Sequence, residues 1–132
     1  MKNVLFLVVL ALSSQASADI VRCTFTEPFF TLILDTDTRV LTKVEPDFEN
    51  PDGGYKETVI SQTAQARRLA PRVVSAVVQH PRFQVIADGA LALVLELNYE
   101  GTDSMSDTIY PYSVKYQTFE GGCDSNRLAS RR

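Results

Sequence analysis

A small antiparallel β-barrel, or a barrel-like sandwich, of about seven or eight strands with at most one short helix is the fold this sequence predicts. Three observations lead there. Short runs of alternating apolar and polar residues recur between turn signals, and no long stretch sustains helical periodicity. Cys23 and Cys123 lie near opposite ends of the chain, so a bridge between them would bring the first and last strands together. Closure then follows, since it removes exposed strand edges.

The first 18 residues stand apart from the fold. Lys2 supplies a positive n-region, Val4 to Leu12 an apolar run, and Ala16-Ser17-Ala18 an A-x-A cleavage signal. The run is too short to span a bilayer as a helix. Cleavage after Ala18 leaves Asp19 to Arg132, enough for one domain, with a polar tail at 124–132 expected to fray. Asp at the new N-terminus, with no cysteine there, reads as an exported chain with no membrane anchor after cleavage, periplasmic or secreted.

The elements follow in order. DIVRCTF alternates, with Val21, Cys23 and Phe25 on one face and Ile20, Arg22 and Thr24 on the other. Thr26-Glu27-Pro28 interrupts, because proline donates no ladder hydrogen bond. FFTLILD and VLTKV form a hairpin around the Asp35–Thr38 turn. Glu45 to Tyr55 reads as a loop, and KETVISQT as a polar edge strand. Residues 64–79 are ambiguous. Leu69, Val73, Val74, Val77 and Val78 have helical spacing but are rich in β-branching, so the reading is an irregular or helical piece at 64–70 and a strand at 72–79. Asp88-Gly89 is a preferred pair for a type I′ hairpin turn, pairing Ile86 with Leu91 and Val85 with Ala92. Leu91, Leu93, Leu95, Leu97 and Tyr99 would line the core. YSVKYQTF is the last strand, with Tyr112, Val114, Tyr116 and Thr118 on one face, and Gly121-Gly122 turns the chain to Cys123.

Composition excludes some classes of partner. The chain carries 13 basic and 16 acidic residues, net −3, and loses Lys2 with the leader. Neither nucleic acid nor an anionic membrane is favoured by that balance. In an oxidising compartment, Cys23 and Cys123 form a disulfide rather than remain two free thiols. A loop of roughly 100 residues closed this way is worth about 4–5 kcal/mol in the chain-entropy account.

Four short motifs occur in fixed order: Thr26-Glu27-Pro28-Phe29-Phe30, Asp103-Ser104-Met105-Ser106-Asp107, Tyr110-Pro111-Tyr112 and Gly122-Cys123. Together they resemble those of a family of exported bacterial proteins with a TEPFW-type motif, a DGMSD…YP motif and a terminal GC. The resemblance covers both ends of the domain and leaves its middle unmatched. It implies a β-rich fold in the Gram-negative envelope and no particular chemistry; members are distantly likened to the small β-barrel inhibitors of c-type lysozyme. Phe30 stands where that family commonly has tryptophan, and Ser104 where it has glycine. Gly101 stands where relatives carry a further cysteine, which leaves Cys23 as the partner of Cys123.

The candidate binding residues are Glu27, Asp103, Ser104, Ser106, Asp107 and Tyr110. Glu27, Asp103 and Asp107 converging would offer hard oxygen ligands of the kind calcium takes. The weightier reading is that Asp103, Ser104 and Ser106 bond their own loop in Asx- and ST-turns, and no metal or cofactor is expected. Asp35-Thr36-Asp37 is likewise a turn. His80 is the single histidine, flanked by Gln79 and Pro81 in an apparent connection, too little for a zinc site. No nucleophile elbow, H-E-x-x-H, phosphate loop or C-x-x-C occurs, so a hydrolase using Glu27 and Asp107 is the weak alternative to a non-enzymatic binding barrel. Phe29, Phe30, Tyr110, Tyr112 and Tyr116 would make a sugar or peptide platform, but core packing explains most of them.

The partner expected is an envelope protein or small ligand. Mass spectrometry of the exported protein should find Asp19 as its first residue; an intact Met1 start would remove the leader reading.

Overall fold

The computed structural model describes residues 19–26, 28–47 and 56–131; the leader at 1–18 and Glu27 lie outside the described residues. Among those residues there is no helix, and eight strands close a barrel: β1 (Ile20–Thr26), β2 (Phe29–Asp35), β3 (Val40–Asp47), β4 (Lys56–Val73), β5 (Gln79–Ala87), β6 (Ala90–Gly101), β7 (Tyr110–Tyr116) and β8 (Phe119–Ser125). Each pairs antiparallel with the next, and β8 returns to β1. Every strand and every ladder of the barrel thus lies between residues 19 and 131.

Alternation explains what is inside. Val21, Cys23 and Phe25 of β1 and Leu32 and Leu34 of β2 are buried, with polar neighbours between them facing out. Apolar residues fill the lumen and residues such as Arg22, Ser113 and Lys115 stand on the outer wall. That is the reverse of a membrane-spanning barrel, whose lumen is polar and whose outer band is apolar. One end is filled by rings: Phe25 stacks on Phe30 with centroids 4.3 Å apart, and Tyr116 and Phe119 meet Phe30 edge-on.

Closure rests on a covalent bond at the seam. Cys23 and Cys123 are directly paired in the β1–β8 ladder, and their sulfurs are joined. Ile20 N donates to Asn126 Oδ1 and Asn126 N to Ile20 O, both at 3.1 Å, extending the seam past β8.

Several sequence expectations need correction. No helix occupies 64–70 and no strand spans 72–79. β4 instead runs unbroken to Val73, the chain turns at 74–78, and β5 begins at Gln79. The helical spacing of the apolar residues is overridden by cross-strand pairing, from Ala64↔Ala87 to Val73↔Gln79. KETVISQT pairs with β3 alone, from Asp47↔Lys56 to Val40↔Thr63, and the ladder with β5 begins only at Ala64↔Ala87, so its other side is an edge, as its polarity suggests. β3 reaches Asp47, three residues into the expected loop, whose segment 48–55 lies outside the described residues.

The Asp88-Gly89 turn is present, with φ of 50° and 78°. Ile86 pairs with Leu91 as expected, but Val85 faces Leu93, not Ala92, across a bulge. The bulge throws Leu91 outside (62% exposed) while Leu93 and Leu95 stay in the core; Tyr99, with φ of 55°, also turns outward. At the other end, β7 stops at Tyr116 and the turn falls at Gln117-Thr118, where Gln117 has φ of 55°. Gly121-Gly122 lies inside β8 and makes no turn. The tail is not frayed through its length either: Ile109 and Arg131 exchange backbone hydrogen bonds of 2.6 and 2.8 Å.

Thiol titration of the denatured, unreduced protein should find no free thiol. Replacing both cysteines by alanine should cost about 4 kcal/mol in denaturant unfolding, given a sequence separation of 100. An unchanged midpoint would show that the barrel closes without its covalent seam.

Candidate functional site

The loop between β6 and β7 is organised by one carboxylate. Asp103 is buried, and its Oδ1 accepts from the Met105 and Ser106 amides at 3.0 and 2.8 Å. Its Oδ2 accepts from the Ser106 hydroxyl at 2.7 Å and from the Tyr110 phenol at 3.1 Å. A carboxylate with four donors holds its charge well. The Ser106 hydroxyl and amide lower its pKa most, burial opposes them, and the result is about 2 against an ordinary 3.8. The backbone is tied as well: the Thr26 hydroxyl donates to Asp103 O, anchoring the loop to the end of β1. Ser104 N donates to Thr102 Oγ1 at 3.0 Å and Thr108 N to Ser106 Oγ at 3.3 Å.

Two glycines make room for this arrangement. Gly122 follows its buried neighbour Gly121 with the opposite facing, and a Cβ on it would sit 2.4 Å from the Tyr110 ring. The Tyr110 ring therefore lies flat on the outer side of β8 because no side chain stands there. Gly101 is closer still to its neighbours: a Cβ would fall 2.0 Å from Tyr112 O. Burial raises the Tyr110 pKa above 10.0, partly opposed by a hydrogen bond from Thr24. The phenol thus stays protonated and keeps donating to Asp103.

The candidate residues separate accordingly. Asp103, Ser106 and Tyr110 are brought together, as one self-satisfied staple. Ser104, with φ of 71°, Met105 (65% exposed) and Asp107 remain on the outside of the loop. With all four acceptor positions of Asp103 occupied internally, it is not a free metal ligand, and no metal-holding group of three or more His, Cys, Asp or Glu occurs among the described residues. Of the five aromatics, Phe30, Tyr110 and Tyr112 are buried, and Phe29 is the most exposed, so they form no shared platform.

A polar cluster on the outer wall escaped the sequence reading. Glu96 of β6 receives the Asn98 amide at 2.8 Å on Oε2 and the Arg72 guanidinium at 3.1 Å on Oε1. His80, in β5 rather than in a connection, places Nδ1 at 3.5 Å from Glu96 Oε2, buried and without a hydrogen bond. Ser113 Oγ donates to Asn98 Oδ1 at 3.1 Å. These residues come from four strands, and their outward alternation with Leu95, Leu97 and Val114 is the signal that places them on one face. Beside them a groove of about 350 Å³ runs between this wall and the loop, flanked by Glu100, Lys115 and Glu120. A second, apolar pocket of about 190 Å³ opens into the lumen past Asp19 and Ala66, lined by Val21, Leu34, Leu95 and Tyr112.

In comparisons with known proteins, no family model, no curated protein and no solved structure matches the chain. Geometry alone therefore defines the site.

Asp103→Ala should destabilise the protein by about 2 kcal/mol at neutral pH, for lost hydrogen bonds to a charged acceptor. Because the folded pKa lies below the unfolded one, that contribution is complete above pH ~4 and is lost as pH falls towards 2. The stability gap between wild type and Asp103→Ala should thus shrink across that window in urea titrations; a gap constant from pH 6 to 2 would contradict the staple.

Proposed function

We propose that this protein is an exported, non-enzymatic binding barrel of the bacterial envelope whose 103–109 loop is the contact surface for a protein partner. The observation that carries the reading is the pre-organised loop. Asp103 fixes its backbone from within and leaves Ser104, Met105 and Asp107 on the outside. Binding through a loop already held in shape loses little conformational entropy on association, and an exposed methionine amid polar residues is an adaptable anchor. Export is supported by the leader-like first 18 residues together with a disulfide at the barrel seam.

The family resemblance supports the same reading. Ser104 has φ of 71°, a conformation glycine takes at no cost, where the resembling family has glycine. A lysozyme inhibitor is the sharper form of the proposal, because a rigid protruding loop of serine, methionine and aspartate suits entry into an enzyme cleft. The hydrolase alternative needs Glu27, which lies outside the described residues, and Asp107, which is exposed.

A photo-crosslinking residue replacing Ser104 should yield an adduct with an envelope protein in cells, and Met105→Asp should reduce it several-fold. Failure to form any adduct would sink the loop as a contact surface. Purified residues 19–132 assayed against c-type lysozyme decide the sharper form, which predicts inhibition at micromolar excess.

A further inference from the structure

β4 outruns the barrel. Its pairing with β3 ends at Val40↔Thr63, and the β5–β6 ladder begins only at Arg82↔Glu96. Residues 70–81 are therefore a two-stranded ribbon with no third strand on either side. The turn at its tip holds itself: the Val74 and Ser75 amides donate to Val78 O at 3.0 and 3.2 Å. Ser75 Oγ accepts from the Val77 and Val78 amides at 3.4 and 3.2 Å. On this tip Val73, Val74, Val77 and Val78 are 65, 53, 91 and 42% exposed.

Clustered exposure of this kind marks a contact surface more than chance does. Val73 ends β4 and Val74, Val77 and Val78 lie in the turn beyond it, so apolar surface caps the end of the ribbon rather than one face of it. A protein face would cover one side of that end. An apolar medium that surrounds the tip covers all of it.

Charge on the shank points the same way. Arg67, Arg68 and Arg82 lie on this hairpin together with Arg72, which is paired with Glu96 of β6 at 3.1 Å, and no acidic residue occurs between Glu57 and Asp88, in a chain whose net charge is −3. Net charge over the whole chain argues against an anionic membrane; the hairpin carries a local excess of positive charge. Arg68 lies over the Phe83 ring, and Arg82 Nε donates to Ala70 O at 3.0 Å, which holds both on the ribbon. At about 3.3 Å per residue, Arg68 and Arg67 follow Val73 along β4 by roughly 17 and 20 Å.

We propose that the β4–β5 hairpin is a membrane-surface wedge: its valines enter the acyl boundary of an anionic leaflet while its arginines meet lipid phosphates. Arginine suits that position, with an apolar stem and a guanidinium that pairs phosphate oxygens two at a time.

The chain contains no tryptophan, so Val77→Trp places a single reporter at the tip. Residues 19–132, which hold the whole barrel, are mixed with phosphatidylglycerol–phosphatidylcholine vesicles and with phosphatidylcholine alone. The expected result is a blue-shifted emission and co-sedimentation with the anionic vesicles, weakened by salt and weak on the neutral ones. Val77→Glu should lower partitioning about tenfold or more, since burying a valine is worth at least that factor. Its fold should be unchanged because the residue is 91% exposed. Arg67→Gln with Arg68→Gln should weaken binding to anionic vesicles alone. No binding to anionic vesicles at low salt overturns the proposal, as does binding that Val77→Glu leaves intact. A concentration-dependent dimer abolished by Val77→Glu, without vesicle binding, also overturns it and assigns the tip to a second copy of the chain.

Discussion

The β1–β8 seam is the constraint on which the rest of the molecule depends. Seven ladders join strands that are neighbours in sequence, and each can form locally. The eighth joins residues about 100 positions apart, the costliest contact in loop entropy. Cys23 and Cys123 occupy directly paired positions there, so one covalent bond holds the register of the closing ladder. With the seam closed, inward residues from all strands share one lumen, and alternation within each strand becomes a core.

The 101–112 segment shows how a motif that looks functional can be architectural. Its most chemical residue, Asp103, spends its acceptors on its own loop and on Tyr110, whose ring in turn lies on the bare backbone of Gly122. Acid, phenol and glycine form one unit, linking the loop to the outside of β8 and, through Thr26, to β1. What faces solvent is the short crown of Ser104, Met105 and Asp107. Rigidity and exposure coexist because the polar groups that fix the loop point inward.

The β4–β5 hairpin is the counterpart at another part of the surface. Its length carries it beyond both neighbours, and there the apolar residues that would elsewhere enter the lumen have no lumen to enter. Val73, Val74, Val77 and Val78 therefore stay exposed at the end of the ribbon.

By itself the sequence determined the barrel class, the inward face of β1, the turn at Asp35–Thr38, the Asp88-Gly89 turn and the Cys23–Cys123 bridge. These are local or nearly so: period-two alternation, turn chemistry, and a cysteine with a single available partner. The Asx character of Asp103 was legible for the same reason, since its acceptors meet donors two and three residues away. Only the tertiary structure decided that residues 64–79 are strand, turn and strand, because helical spacing among valines is silent about cross-strand partners. Only it showed the bulge that expels Leu91, since one extra residue shifts a face without altering composition. The glycines at 121 and 122 read as a turn in sequence, whereas in the barrel they lie within β8 and make room for the Phe25 and Tyr110 rings. Glu96, His80, Arg72 and Ser113 meet from four strands; such convergence is a property of pairing, which no window of sequence contains.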